Sequence, residues 1–255
     1  MTTTNPSSAQ SRHLVEDERG LLEVLLGNGG LRFGAFQTKS GRTSPMFFNF
    51  GSVASGRDIA HLGAIYARAI SRLWPSNARG ATVLFGSAYK GIPLVVAIAS
   101  AIDSGAESSG ASSQRTPMFF TYNRKEAKAH GEGGNLVGHL PTAQDRVIII
   151  DDVLTGGLSL RESITLLKPT GAQILGALVG IDREEFDATQ PGGAAGPARQ
   201  TAARAIEADT GVQVRAITTV TRTVEILCAG EVLGRRWIDA EAAARIAAYR
   251  AEFGR

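Results

Sequence analysis

The pattern of apolar and polar residues divides much of the chain into short apolar runs that alternate with amphipathic stretches. Residues 147–150 are four consecutive β-branched apolar residues. This run is too short for a helix and has no polar alternation, which indicates a strand that is buried on both faces. Such strands are typical of parallel sheets with helices on either side. The sequence therefore predicts an α/β fold with a central, mostly parallel sheet flanked by helices.

The same pattern predicts the other elements of this fold. Apolar residues at helical spacing indicate helices, and short apolar runs bounded by Gly, Pro or polar residues indicate strands. The predicted helices are residues 20–26, 57–74, 92–101, 160–167, 198–208, 220–227 and 240–253. The predicted strands are residues 31–37, 82–86, 118–122, 147–150, 173–181 and 212–218. Strands and helices thus alternate through the middle of the chain, as a parallel sheet requires.

Segments without such a pattern are expected to be turns, loops or disordered. Residues 1–18 are predicted to be a disordered leader, and residues 19–255 a single domain. Residues 103–116 and 190–197 are rich in Gly, Ala and Ser or Pro, and we expect them to be surface excursions. Residues 123–135 combine cations with three glycines, which predicts a charged loop that can move.

Composition narrows the functional classes. The 255 residues are 43% hydrophobic and 20% charged, as in ordinary globular proteins. The net charge of +3 is too small to indicate nucleic acid as a partner. A single cysteine, Cys228, excludes an internal disulfide framework and is typical of a reducing compartment. No apolar run approaches the roughly 20 residues that cross a membrane. We therefore expect a cytoplasmic protein that binds small molecules.

Candidate chemistry follows the apolar strand directly. Asp151 and Asp152 come first, then a Gly- and hydroxyl-containing turn at residues 155–159, then a helix. In open α/β sheets, ligands bind at the carboxyl ends of the strands, and a helix N-terminus binds phosphate. The adjacent carboxylates can hold sugar hydroxyls. These features predict a site for a phosphorylated sugar.

Two other interpretations fit the strand and its acids less well. A hydrophobic strand that ends in solvated acids would have no site at all, and this alternative stays open at the level of the motif. A Walker B strand needs a partner loop of the form G-x-x-x-x-G-K-[ST], which the chain lacks.

Other polar residues are predicted to lie near the same sheet edge. Lys90 lies in a loop between a strand and a helix, and Arg183 follows the end of another strand, where it can bind an anionic group. Phe47 and Phe48 are adjacent in an extended segment, so they point to opposite faces and one can stack on a planar ligand. The charged loop supplies four further candidates that can bind an anionic group: Arg124, Lys125, Lys128 and His130.

Several blocks of sequence resemble one enzyme family. They are TKSGRTSPMFFNFG at residues 38–51, FGSAYKGIPL at 85–94, NRKEAKAHGEGGNLVG at 123–138, DDVLTGG at 151–157 and IDREE at 181–185. In this order they resemble the orotate phosphoribosyltransferases, which belong to the type I phosphoribosyltransferases. The resemblance implies the type I phosphoribosyltransferase fold with a small N-terminal hood region. It also implies a glycosyltransferase of pyrimidine biosynthesis that joins orotate to the ribose 5-phosphate of phosphoribosyl pyrophosphate.

The resemblance also implies roles for individual residues. Asp151 and Asp152 would bind the ribose hydroxyls, and Phe47, Phe48 and Arg183 would bind orotate. The 5′-phosphate would be bound by Thr155, Gly156, Gly157, Leu158 and Ser159. The pyrophosphate would meet Lys90, Arg124, Lys125, Lys128 and His130. Further substrate contacts are implied for Lys39, Tyr89, Val153 and Leu154.

The family resemblance carries expectations about cofactor and assembly as well. Mg²⁺ would be held mainly by the substrate, so no residue is assigned as a metal ligand. The family forms homodimers in which residues 124–134 serve the neighbouring subunit's site. Leu158 departs from the family pattern, which has a hydroxyl residue there. A phosphoribosyltransferase for purine bases, and a regulator that senses phosphoribosyl pyrophosphate, are the alternatives.

Overall fold

The structure of the chain is a computed structural model that describes residues 6–38, 42–74, 82–108, 117–128, 134–187, 189 and 199–254. The strands are β1 Leu31–Gln37, β2 Thr43–Phe48, β3 Thr82–Gly86, β4 Phe119–Lys128, β5 Gly134–Gly138, β6 Arg146–Leu154, β7 Gln173–Asp182 and β8 Val214–Thr219. The helices are α1 Pro6–Gly27, α2 Gly56–Leu73, α3 Gly91–Ser108, α4 Leu158–Leu167, α5 Ala202–Thr210, α6 Val220–Ala229 and α7 Ala240–Phe253. None of these helices is long and apolar enough to cross a membrane.

Six of the strands form the central sheet, in the order β5-β4-β3-β6-β7-β8. Every neighbouring pair is parallel except β4 and β5, which are antiparallel. β1 and β2 form a separate antiparallel pair near the N-terminus. The prediction of a mostly parallel sheet with a small N-terminal hood is confirmed. Parallel pairing brings the carboxyl ends of β3, β4, β6 and β7 to one edge.

Strand β6 lies at the centre of the sheet and contributes to the core on both faces. Ile148 and Ile150 pack in the core that contains α2 and α3, whereas Val147 and Ile149 pack in the core that contains α4 and α5. All four side chains are buried. The alternation between two apolar layers explains why the run has no polar residue, and it confirms the prediction of a strand buried on both faces.

Three predicted boundaries are wrong because elements continue past them. β6 continues through Asp151 and Asp152 to Leu154, since this part still pairs with β7. β4 continues to Lys128 because it pairs with β5, a strand that the sequence pattern did not predict. α3 continues to Ser108, so the predicted excursion at residues 103–116 begins as helix. Residues 109–116, 129–133 and 190–198 lie outside the described part of the chain.

The prediction of a disordered leader at residues 1–18 is wrong from Pro6 onward, because α1 begins there. The last residues of that predicted leader are held by ion pairs. Asp17 is buried and lies 2.7 Å from Arg68 and 2.6 Å from Arg72, both on α2. Glu18 lies 2.9 Å from Arg222 on α6. These contacts attach α1 to α2 and α6. The pattern of residues within the polar segment does not indicate them, because the partners lie far away in sequence.

Replacing Asp17 with Ala is expected to destabilise the fold. The change leaves two arginines without their shared carboxylate, and the half-exposed Arg68 moderates the cost, so we expect a loss of about 1–3 kcal/mol in the free energy of unfolding. Urea unfolding measures it. Glu241→Ala removes one partner of an exposed pair with Arg245 on α7 and should cost less than about 0.5 kcal/mol. Equal effects in the two variants would contradict an anchoring role for Asp17.

Candidate functional site

Two adjacent carboxylates lie buried at the carboxyl end of β6. The Asp151 carboxylate accepts hydrogen bonds from the hydroxyl of Ser87, at 3.0 Å, and from that of Ser159, at 3.2 Å. These hydroxyls come from the loop after β3 and from the start of α4. Burial, together with the negative charge of Asp152, raises the pKa of Asp151 to about 6. Asp151 thus links β6 to the loop after β3 and to the start of α4. Its raised pKa shows that these hydrogen bonds only partly stabilise its negative charge.

Asp152 has a cationic partner in the neighbouring loop. The Lys90 ammonium, in the loop between β3 and α3, lies 2.9 Å from the Asp152 carboxylate. The amide of Ala88 in this loop donates to the side chain of Asn123 on β4, and the Ala88–Tyr89 peptide bond is cis. The prediction that Lys90 lies at the same sheet edge as the acids is confirmed.

The backbone beneath the acid pair is held by a buried tyrosine. The Tyr66 hydroxyl on α2 donates to the carbonyl of Asp151 at 3.0 Å. Gly180 on β7 permits this approach, because a Cβ there would lie 2.5 Å from the Tyr66 hydroxyl and from the Phe50 ring. Val153 and Leu154, the last residues of β6, pair with Ile181 and Asp182 of β7. This part of the site therefore rests on regular sheet structure.

The turn from β6 into α4 exposes a helix N-terminus. Gly157 is the N-cap residue, with φ of 83°, and it provides no side-chain hydrogen bond to the helix. A Cβ at this position would also lie 2.9 Å from Ile206, so glycine is required. Thr155 is exposed, Gly156 half-exposed, and Leu158 is 61% exposed at the first helical position. The uncapped amides suit a phosphate, and Leu158 adds no hydroxyl to them.

Ser159 follows Leu158 and has a hydroxyl, but the structure directs it elsewhere. Its hydroxyl proton is donated to Asp151, so it cannot be donated to a phosphate at the same time. Of the two residues whose hydroxyls contact Asp151, Ser159 was predicted as a site residue and Ser87 was not. Ser87 lies within the quoted block at residues 85–94.

The predicted cationic residues are only partly described. Lys125 lies on β4 with its ammonium 5.0 Å from the centre of the Tyr89 ring, which is 68% exposed. Arg124 is half-buried, and its Nε has no hydrogen-bond partner among the described residues. Lys128 is the last residue of β4. The side chain of Lys128, and all of Lys39 and His130, lie outside the described part of the chain.

The hood places its two adjacent aromatic rings on opposite faces, as predicted. Phe47 is half-buried and stacks on Phe36, with 5.4 Å between ring centres, and the Arg32 guanidinium lies 5.0 Å from the Phe47 ring. Phe48 is buried and lies 5.8 Å from the Arg183 guanidinium. Phe48 is thus the ring that the structure brings together with Arg183.

Arg183, at the end of β7, is buried and held by two partners. One terminal nitrogen, Nη2, donates to the Ser44 hydroxyl at 2.9 Å and lies 2.7 Å from the Glu185 carboxylate. Arg183 Nε has no hydrogen-bond partner among the described residues. Neither Ser44 nor Glu185 was predicted as a site residue. Both lie within the quoted blocks, but nothing in their spacing signals a contact with Arg183.

Among the described residues of this edge, the acid pair is the predicted source of oxygen donors for a metal ion. Among the described residues, no group of three or more His, Cys, Asp or Glu side chains could hold a metal ion. The two carboxylates supply oxygen donors, which Mg²⁺ prefers.

Comparisons with known proteins agree with one another. Residues 57–186 match the phosphoribosyl transferase domain family. The chain is 38% identical to the orotate phosphoribosyltransferase of Aliivibrio fischeri, over 93% of this chain and 98% of that protein. It is 49% identical to that of Bordetella avium over 63% and 67% of the two chains. A crystal structure of orotate phosphoribosyltransferase from Francisella tularensis superposes with a TM-score of 0.67 at 32% identity, covering 92% and 98%.

The raised pKa of Asp151 predicts a pH-dependent stability. Its pKa lies near 6 in the fold against 3.8 ordinarily, so the fold favours the protonated form. Between about pH 4 and 6 the unfolded chain has released this proton and the folded chain retains it, so stability falls as pH rises. Asp151→Asn lacks this loss. Its free energy of unfolding relative to the unsubstituted protein should therefore rise across this window and level off above it, as measured by urea unfolding at several pH values.

A control separates this effect from general pH dependence. The pKa of Asp58 is lowered by hydrogen bonds from Ser55 and Asn28, so its contribution changes below about pH 4. The stability difference between Asp58→Asn and the unsubstituted protein should stay constant between about pH 4 and 6. A constant difference for Asp151→Asn as well would show that Asp151 has an ordinary pKa.

Proposed function

The chain belongs to the orotate phosphoribosyltransferase family, and we propose that it transfers ribose 5-phosphate from phosphoribosyl pyrophosphate to orotate. The products are orotidine 5′-monophosphate and pyrophosphate, in the pyrimidine pathway to UMP. One observation supports this most directly: the acid pair, Lys90 and the open N-terminus of α4 meet at one sheet edge. The relatives reported above bear the name of the orotate enzyme. The purine-base and regulator alternatives have no comparable support.

We assign the sugar phosphate to the edge formed by β6 and α4. The 5′-phosphate would accept hydrogen bonds from backbone amides of residues 155–159. These amides lie at the positive end of the α4 helix dipole, which favours an anion. Asp151 and Asp152 would accept hydrogen bonds from the ribose hydroxyls. When the sugar binds, these hydroxyls would donate hydrogen bonds to two carboxylates whose negative charges repel one another.

The leaving group needs positive charge at the moment of bond cleavage. Pyrophosphate departs from the anomeric carbon, and the sugar develops oxocarbenium-like positive charge. A ring nitrogen of orotate then bonds to that carbon from the opposite face and loses its proton, which the departing pyrophosphate can accept. Lys90, which lies beside Asp152, and the cations Arg124, Lys125, Lys128 and His130 would stabilise the departing pyrophosphate, with Lys39 close to the phosphates or the base.

Mg²⁺ fits this site as a partner of the substrate. Ribose and pyrophosphate oxygens would hold most of its coordination sphere, with Asp151 and Asp152 nearby. When bound, the ion supplies charge that offsets the negative charge of the leaving group. The protein residues bind and orient the sugar and the base around it.

The base would bind between the hood and the end of β7. Arg183 can pair with the carboxylate of orotate, and Phe48 lies on the same side of the hood as Arg183. A charge-assisted hydrogen bond between the guanidinium and the carboxylate would give directional recognition. Uracil has the same ring without the carboxylate, and it would form no such contact with Arg183.

Assembly and location complete the proposal. We propose a homodimer in which residues 124–134 of one subunit serve the neighbouring site, as the family resemblance implies. We also propose that the enzyme is cytoplasmic, which agrees with its single cysteine.

Base selectivity tests the proposed reaction. With Mg²⁺ and phosphoribosyl pyrophosphate, we expect loss of orotate absorbance and release of pyrophosphate, with kcat/KM for uracil lower by roughly 10³-fold or more. Arg183→Gln should lose most of the orotate activity. Arg215→Gln should keep it, because Arg215 lies at the amino end of β8, away from the site edge. Consumption of a purine base in place of orotate would replace this proposal with the purine alternative.

Subunit mixing tests the shared loop. Lys128→Ala and Asp152→Asn should each lower the rate by about 10²–10³-fold, because each removes one charged group that acts on the reacting sugar or leaving group. In mixed dimers one site carries both intact residues, so the mixture should recover up to about a quarter of full activity. Self-mixed samples of each variant are the controls. Verified exchange without recovery would show that the loop acts within its own subunit.

A further inference from the structure

Glu185 is a buried carboxylate two residues after Arg183, and the proposed mechanism gives it no role. It is 4% exposed. Its Oε1 lies 2.7 Å from the Arg183 guanidinium and accepts a hydrogen bond from the Tyr249 hydroxyl at 3.1 Å. Its Oε2 lies 3.7 Å from Arg42, in the hood. Three segments that are distant in sequence therefore converge on one carboxylate.

Tyr249 belongs to α7, and the end of this helix packs on the segment that carries Glu185. The amide of Phe186 donates to the carbonyl of Phe253 at 2.9 Å. Gly254 pairs with Glu185, and a Cβ at Gly254 would lie 2.5 Å from the carbonyl of Glu184. This close backbone approach fixes the distance between α7 and the residues that follow β7.

The neighbouring carboxylate holds the same segment from its other side. Glu184 has φ of 55°, in the left-handed region. Its side chain accepts hydrogen bonds from the amide and the hydroxyl of Thr221, at the start of α6, and lies 3.4 Å from Arg250 of α7. The backbone segment that carries Arg183 and Glu185 is therefore attached to α6 and α7.

The contacts of Arg183 divide its guanidinium into two parts. Nη2 carries two protons, and its two contacts are Ser44 and Glu185. Nε has no hydrogen-bond partner among the described residues, although it is buried. The protein therefore holds Arg183 through Nη2. An Nε proton without a protein partner is the kind of donor that a bound carboxylate would satisfy.

We propose that Glu185, itself oriented by Tyr249, is the positioning residue that sets the guanidinium of Arg183 for the orotate carboxylate. This inference rests on the proposed function, since it concerns the same base site. It makes the C-terminal helix α7 part of the specificity apparatus for the base, although α7 contributes no assigned substrate contact. Without Glu185, Arg183 keeps its charge but loses the partner that fixes its rotation.

Steady-state kinetics with both substrates tests the proposal. Glu185→Ala should raise KM for orotate about tenfold, the effect of losing one hydrogen bond to a charged group, while KM for phosphoribosyl pyrophosphate changes less than about twofold. Glu185→Gln retains an oxygen acceptor for Arg183 and Tyr249, so it should recover most of the loss. Tyr249→Phe removes one hydroxyl and should raise KM for orotate about threefold.

A double-substitution cycle separates action through Arg183 from a general effect on the fold. In an Arg183→Ala background, adding Glu185→Ala should change kcat/KM for orotate by less than about twofold, because the group that it positions is gone. An additive loss of about tenfold would overturn the proposal. The matched control is Glu207→Gln, which alters a 2.7 Å ion pair with Arg215 near the amino end of β8 and should leave both KM values unchanged.

The remaining outcomes are also decisive. If Glu185→Ala does not fold by circular dichroism, Tyr249→Phe decides, since it removes a single hydroxyl. An unchanged KM for orotate in Tyr249→Phe, with orotate consumed normally by the unsubstituted enzyme, would overturn the positioning role alone. Failure of the unsubstituted enzyme to consume orotate would instead overturn the proposed function.

Discussion

Asp151 and Asp152 are adjacent carboxylates that the protein buries at the end of its central strand, and two such charges cannot be buried without compensation. The structure supplies that compensation from different elements. Ser87 and Ser159 donate hydroxyl protons to Asp151, and Lys90 pairs with Asp152. The loop after β3 and the start of α4 are therefore positioned by the same electrostatic requirement. What remains uncompensated appears in the raised pKa of Asp151.

This residual cost has a functional meaning. A site that fully satisfied its carboxylates would gain little from binding sugar hydroxyls, because each new hydrogen bond would replace an existing one. In the proposed reaction, the ribose hydroxyls would supply donors to Asp151 and Asp152. The helix N-terminus beside the acids follows the same logic, since the N-cap Gly157 has no side chain and leaves its amides available for phosphate.

The other end of the site is built by ion pairs between distant segments. Arg183 is buried against Glu185 and Ser44, and Glu185 in turn contacts Tyr249 and lies near Arg42. A buried arginine costs free energy unless partners are provided. The hood provides Ser44, and α7 provides Tyr249, which holds Glu185, so both pack on the segment that follows β7.

The order of residues along the chain is enough to predict the parallel α/β sheet and the edge at which the candidate site lies. Residues 147–150 are apolar at every position because two apolar layers contact them, and the acids, the glycine turn and Lys90 follow strands whose ends must meet. Which partners those residues have depends on how the elements pack together. Glu185 with Tyr249, Ser159 with Asp151, and Asp17 with α2 join residues that are remote in sequence or have other local choices. The residues next to a polar side chain in sequence do not identify its partner, because that partner lies on another element that packs against it in the fold.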